Sequence, residues 1–217
     1  MTFRLPGHQP PIAEYTNECD TWFQVQTAWR KVNPCASSYD ISQHCPVPYD
    51  PLAQYIGNDP NSYFNRTDVR DAIHAPDNTQ HGVGGLLNTI WLECSLLVFT
   101  PFVNGTDNSP DPIYDVLPTV IEATDRVLIA NGEYDTVIIA NGSLLAIQNM
   151  TWNGELGFQE PPSTDFVVPG QGVMGKQHLE RGLMWVEGYV TGHMGPGMQP
   201  MASLRHLKWL LGRIDEL

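Results

Sequence analysis

Positive charge and long apolar runs are both scarce in this sequence. Lys and Arg together number 11 against 24 Asp and Glu, which gives a formal net charge of -13. Such a surface repels the phosphate backbone of nucleic acids, so we expect no nucleic-acid partner. No stretch reaches the run of about eighteen apolar residues typical of membrane-spanning helices, so we expect no membrane partner either.

The N-terminus also lacks a secretory signal, because residues 1–11 contain no apolar core segment. Either the protein is cytosolic, or the sequence begins downstream of a removed or missing segment. Four glycosylation sequons favour the second alternative, since such sites are used in the secretory route. They stand at Asn65, Asn104, Asn141 and Asn149.

Cysteine is rare, and the four cysteines form no C-x-x-C pair, which argues against a zinc or redox site. Disulfides remain open, with Cys19, Cys35, Cys45 and Cys94 as candidates. Together with the sequons, these cysteines predict an oxidising location, either secreted or vacuolar. The histidines show no tight ligand spacing with cysteines or carboxylates, so we expect no metal and no cofactor. Those considered are His74, His81, His178, His193 and His206.

Apolar periodicity and turn residues predict helices that alternate with buried strands in the second half of the chain. The earlier part is richer in Pro, Asp, Asn and Ser and predicts an irregular, cysteine-containing insertion. We therefore expect an α/β domain with a mostly parallel sheet, divided into a cap-like region at 1–66 and a core region at 67–217. The apolar stretch Leu86–Phe102 does not indicate whether it forms a helix or a strand. Helices are predicted at Cys19–Lys31, Thr67–His74, from Ile113, at Gly142–Met150 and after Pro200, and strands at Arg126–Ala130 and Leu183–Val190.

Two titratable residues follow the predicted strands. Asp135 comes shortly after the first strand, and His193 comes directly after the second. Side chains at the carboxyl ends of parallel strands meet at one edge of a sheet, and an aspartate beside a histidine orients the ring and stabilises the imidazolium. Two plainer interpretations stand beside this one: Asp135 as a turn or capping residue, and His193 as a structural histidine.

Several segments resemble the serine carboxypeptidase family. Gly192-His-Met-Gly-Pro196, followed by Gln199-Pro200 and a helix ending in Trp209-Leu-Leu-Gly212, is similar to that family's histidine region. Val127-Leu-Ile-Ala-Asn-Gly-Glu-Tyr-Asp135 resembles its acid-bearing strand and turn, and Leu156-Gly-Phe158 resembles the segment that follows. Looser similarities lie in Tyr39-Asp-Ile41 with Cys45, in the helix Val69–His74, and in Trp91-Leu-Glu-Cys94.

This resemblance implies the C-terminal part of an α/β-hydrolase fold. It implies that Asp135 is the acid of a catalytic triad and that His193 is the general base acting on a peptide substrate. It places Met194 in the pocket for the leaving residue, although a buried core methionine explains this residue equally well. It also makes Cys94 similar to a cysteine that pairs with the upstream half in the family.

The departures from the family are informative too. The family's nucleophile sits in a G-x-S-x-G elbow upstream of the acid, and this sequence contains no such pentapeptide. Ser95 and Ser143 lack the second glycine, and Ser143 follows the acid instead of preceding it. Asn131 replaces a small residue, and Gly195 stands where an apolar side chain is common. We therefore expect the chain alone to be nearly inert, because a base without its nucleophile has little to activate.

Three hypotheses follow. The first is a segment of a serine-type carboxypeptidase that releases C-terminal amino acids through an acyl-enzyme once it is combined with the upstream serine-bearing half. The second is a non-catalytic relative that serves as a binding module. The third is an acyltransferase of the same family, which would pass the acyl group to an alcohol.

Overall fold

The structure is a computed structural model that describes residues 21–45, 63–75 and 112–217. The chain divides into two compact units, residues 1–49 with 110–217 and residues 50–109. The smaller unit contributes one described helix, which the sequence predicted. The domain boundary expected between residues 66 and 67 stays a prediction.

The described elements follow the alternation predicted from the sequence, and each predicted helix and strand in these residues is present within a few residues of its expected bounds. Three short elements, β2, β3 and α5, and the long hairpin of β4 and β5 were not predicted. The helices are α1 Thr21–Val32, α2 Thr67–Ala72, α3 Val116–Thr124, α4 Ala140–Gln148, α5 Gly195–Met198 and α6 Pro200–Leu210. The strands are β1 Val127–Gly132, β2 Thr151–Trp152, β3 Glu155–Leu156, β4 Thr164–Val168, β5 Gly172–Glu180 and β6 Leu183–Gly188.

The main described sheet is mixed, with the strand order β1-β6-β5-β4. Strands β1 and β6 are parallel, and their register runs from Val127 opposite Leu183 to Gly132 opposite Gly188. Strand β5 is antiparallel to both of its neighbours, β4 and β6. Their connections are too short for a parallel crossover, which explains why the described sheet is less parallel than the sequence predicted.

Strand β6 is buried on both faces of the sheet. Leu183 and Trp185 belong to one apolar cluster, which also contains buried residues of α3 and α4. Met184 and Val186 point the other way, into a second cluster that includes Trp209 of α6. Burial on both faces is the reason that β6 is a continuous apolar run instead of an alternating one.

Helix α1 differs from the usual amphipathic helix. Its apolar Trp22, Phe23 and Val25 are exposed, whereas Gln26 is its one buried residue. The Trp22 indole still makes a long-range contact, since its Nε1–H donates to the Thr136 carbonyl at 2.5 Å. The apolar periodicity therefore predicted the helix correctly but not which side of it is covered.

Cys35 and Cys45 form a disulfide. Cys19 and Cys94 lie outside the described residues, as do Asn104, His81, Ser95 and Leu86–Phe102. Within the described ranges, no helix has the length and apolar character required to cross a membrane.

Candidate active site

The parallel pair β1 and β6 brings two titratable side chains together. Asp135 lies three residues beyond the end of β1, and His193 lies five residues beyond the end of β6. Because the two strands run in register, both segments leave the sheet at the same edge. His193 Nδ1 lies 2.8 Å from Asp135 Oδ2, which is hydrogen-bonding distance.

Asp135 is held in place from several directions. Its second oxygen, Oδ1, accepts the backbone N–H groups of Val137 at 2.8 Å and Ile138 at 3.0 Å. These two donors occupy Oδ1 and leave Oδ2 for the imidazole. Asn131, which departs from the family pattern, donates its amide to the Ile138 carbonyl at 3.2 Å and so braces the same turn.

The turn that carries Asp135 packs directly on the loop that carries His193. Tyr134 N–H donates to the Thr191 carbonyl at 3.0 Å. A Cβ atom on Gly132 would lie 2.3 Å from the same carbonyl oxygen, so any larger residue would force the two segments apart. Glycine at the end of β1 is therefore a packing requirement of the pair.

The environment of the pair suits general base chemistry. The Asp135 side chain is 4% exposed and that of His193 is 31% exposed, so the acid is covered while the ring reaches solvent. A carboxylate at Nδ1 fixes the tautomer and leaves Nε2 as the nitrogen that takes a proton from a nucleophile. The pair can therefore activate a hydroxyl group presented from the open side.

A cavity of about 380 Å³ adjoins the pair and extends towards α6. Its lining includes the polar residues Thr191, Ser203 and His206. Burial lowers the pKa of His206 to about 4, so this ring is neutral at neutral pH. It stacks on Phe166 with ring centroids 4.9 Å apart.

Met194 follows His193 and is exposed, so the alternative of a buried core methionine does not apply. Its carbonyl accepts N–H groups of Gly197 at 3.0 Å and Met198 at 3.1 Å, which starts α5. Its role in substrate binding stays a prediction.

The other candidate residues are not part of this acid–base pair. Asn65, Asn141 and Asn149 are partly exposed, and their glycosylation stays a prediction. Ser143 lies within α4. In the described part of the chain, no group of three or more His, Cys, Asp or Glu side chains could hold a metal ion.

Sequence reasoning did not identify Ser38, Tyr39 and Thr136 as part of this region. The Tyr39 carbonyl accepts the His193 N–H at 2.8 Å, and the Ser38 carbonyl accepts the Thr136 N–H at 3.0 Å. The motif Tyr39-Asp-Ile41 carried a family resemblance, but these contacts use backbone oxygens, which no residue pattern reveals.

Comparison with known proteins places this geometry in context. The sequence profile of the family described as serine carboxypeptidase matches residues 8–213. Serine-type carboxypeptidase F of Aspergillus niger is 44% identical and covers 100% of this chain, which spans 45% of that relative. A probable serine carboxypeptidase of Arthroderma benhamiae is 43% identical, with 100% of this chain and 42% of the relative covered. The chain thus spans less than half the length of these two relatives.

A solved structure shows the same architecture. It is the crystal structure of Kex1(delta)p, a prohormone-processing carboxypeptidase from Saccharomyces cerevisiae, with a TM-score of 0.59 and 21% sequence identity. The superposition covers 81% of this chain and 36% of that one. It confirms the predicted fold class, part of an α/β-hydrolase fold, with a mixed sheet in the residues described here.

Proposed function

The chain belongs to the serine carboxypeptidase family, and we propose that it supplies the acid and the base of a carboxypeptidase whose nucleophile lies in an upstream half. The observation that carries the proposal is the 2.8 Å contact between His193 Nδ1 and Asp135 Oδ2. The acid precedes the histidine along the chain, which is the order of these residues in α/β-hydrolases.

In the proposed reaction, the serine of the upstream half attacks the carbonyl carbon of the last peptide bond of a substrate. His193 Nε2 takes the serine proton and then gives it to the departing amino group, which frees the C-terminal amino acid. Water then attacks the acyl-enzyme, and His193 takes a proton from that water and passes it to the departing serine oxygen, which restores the serine and releases the shortened peptide. Asp135 stabilises the imidazolium in both steps.

Exposed apolar surface beside the acid supports an upstream partner. Val137, Ile138 and Ile139, here called the exposed triplet, directly follow the turn of Asp135 and are each more than two-fifths exposed. Contiguous apolar side chains at a site of chemistry are surface that association would cover. The absence of a G-x-S-x-G pentapeptide and the limited coverage of the relatives point the same way.

A secreted or vacuolar location fits the same chemistry. The Cys35–Cys45 disulfide requires an oxidising compartment to persist. Asn65, Asn141 and Asn149 would carry glycans there, together with Asn104. Met194, exposed beside His193, would contact the leaving residue of the substrate.

The proposal is tested by producing the chain with and without the upstream coding region. Each product is treated with a fluorophosphonate reagent and assayed for release of the C-terminal amino acid from a blocked dipeptide. We expect labelling and activity only when the upstream region is present. His193→Ala should lower the activity by about 10⁴-fold or more. Ser163→Ala serves as the matched control, because Ser163 is exposed just before β4 and belongs to no glycosylation sequon, so the change should leave labelling unchanged.

Two other outcomes would replace the proposal. Silence in both products would indicate a non-catalytic binding relative. Preferential transfer of the acyl group to an added alcohol, at the expense of hydrolysis, would indicate an acyltransferase.

A further inference from the structure

The loop closed by the Cys35–Cys45 disulfide is shaped by its own hydrogen bonds. Ser37 and Asp40 form an isolated antiparallel bridge. The carboxylate of Asp40 is buried and accepts the backbone N–H of Ser42 at 2.8 Å and its hydroxyl at 2.6 Å. A covalent link at its ends and a bonded turn at its centre leave this loop few alternative conformations.

This loop contacts the segment that carries the acid. The Ser38 carbonyl accepts both the N–H of Thr136 at 3.0 Å and its hydroxyl at 2.7 Å. Ile41 N–H donates in turn to the Tyr134 carbonyl at 3.0 Å. Tyr134 and Thr136 flank Asp135, so the loop holds the acid-bearing turn on both sides.

The same loop contacts the segment that carries the base. The Tyr39 carbonyl accepts the His193 N–H at 2.8 Å, and the two rings lie with centroids 5.2 Å apart. A Cβ atom on Gly192 would lie 2.1 Å from the Tyr39 carbonyl oxygen and 3.0 Å from Asp40 Cβ. The backbone therefore approaches more closely here than any residue with a side chain would permit.

We propose that the disulfide loop, residues 35–45, is a positioning element that holds Asp135 and His193 in hydrogen-bonding register. It bridges the two segments through backbone carbonyls of adjacent residues, Ser38 and Tyr39. The inference builds on the proposed function, because it concerns the same acid–base pair. It makes a claim about geometry, however, which is measurable in the chain without any catalytic assay.

The main test is hydrogen exchange of the full chain, followed by mass spectrometry of peptides. Gly192→Ala should push the Tyr39 carbonyl away from His193 and speed exchange of the peptide that contains the His193 amide by about tenfold. Peptides from β5 and β6 should keep their protection. Gly195→Ala is the matched control, because its Cβ would lie 3.8 Å from the nearest atom, Ser203 Oγ, and should change nothing.

The second measurement follows the His193 ring itself by ¹⁵N NMR. The paired change Cys35→Ser and Cys45→Ser removes the disulfide that closes the loop. It should move the Nδ1 signal away from that of a ring hydrogen-bonded to a carboxylate. Tyr39→Ala should produce a smaller shift, and Tyr39→Phe should restore the wild-type signal by retaining the ring contact. A purely structural loop would lower stability without altering the tautomer or the hydrogen bond at Nδ1.

Unchanged exchange at His193 in Gly192→Ala, or an unchanged Nδ1 signal in the cysteine variant, would overturn the proposal. If Gly192→Ala also speeds hydrogen exchange in β5 and β6, the change has disturbed the whole sheet, and the NMR result alone then decides whether the loop positions His193. If the wild-type protein with its upstream half shows no carboxypeptidase activity while the variants give the expected NMR changes, the proposed function fails and the positioning role stands.

Discussion

Two apolar regions of the molecule differ sharply in how far they are buried. Trp152, Phe158 and Leu183 are completely buried in the cluster behind β1 and β6. The exposed triplet leaves between 43% and 52% of each side chain accessible. By residue type the two regions are equally apolar, so composition does not distinguish them.

The difference lies in what surrounds each region. The buried cluster has α3 and α4 packed over it, with the Trp152 and Phe158 rings meeting edge to face at 5.5 Å. The exposed triplet follows the turn of Asp135 and stays accessible to solvent. In the proposed function, this open apolar surface beside the acid–base pair is the surface that the upstream half would cover.

The largest expected effect concerns the pair formed by Asp135 and His193. Asp135→Asn presents an amide to His193 Nδ1 and favours the wrong tautomer, so the kcat of the joined enzyme should fall by about 10⁴-fold. Steady-state assays on a blocked dipeptide measure the loss. Asp165→Asn is the control, because Asp165 makes a solvent-exposed ion pair with Lys176 at 2.5 Å. Equal losses in both variants would remove Asp135 from the mechanism.

The next largest effect concerns the buried cluster. Phe158→Ala opens a cavity in the buried cluster and should lower the free energy of unfolding by about 3–5 kcal/mol. Urea denaturation of the chain, followed by tryptophan fluorescence, measures it. A loss below about 1 kcal/mol would mean that the cluster is not a packed core.

Much of this architecture could be predicted from the sequence because its signals are carried by side chains. The apolar runs in β1 and β6 predicted both strands, and the placement of Asp135 and His193 after them predicted their meeting at one edge. The β4–β5 hairpin was missed, since polar and apolar residues mix along β5. The exposure of the apolar side chains of α1 was also missed, because apolar periodicity identifies an apolar face of a helix but not whether another element packs against it.

The contacts of the disulfide loop could not be predicted for a different reason. Ser38 and Tyr39 bind through carbonyl oxygens, which every residue possesses, so no residue type signals them. The catalytic role of Asp135 and His193, the substrate role of Met194 and the glycosylation sites remain predictions for experiment.

A smaller effect is expected from pH. Burial depresses the pKa of His206 to about 4, below its value in the unfolded chain. Between about pH 6.5 and pH 4 the unfolded state therefore binds more protons, and stability falls as the pH drops through this window. His206→Phe retains a ring against Phe166 and should flatten the decline.

The smallest effect, and the one that most sharpens the comparison, concerns the exposed triplet. Val137→Ser should change the free energy of unfolding of the isolated chain by less than about 0.5 kcal/mol, since its side chain is already exposed. If the upstream half covers this surface, the same change should weaken association by about tenfold. Val167→Ser is the matched control, because Val167 is 46% exposed on β4 and Val137 is 43% exposed. Equal binding of both variants to the upstream half would show that the triplet is ordinary surface, and the open side of the site would then need another explanation.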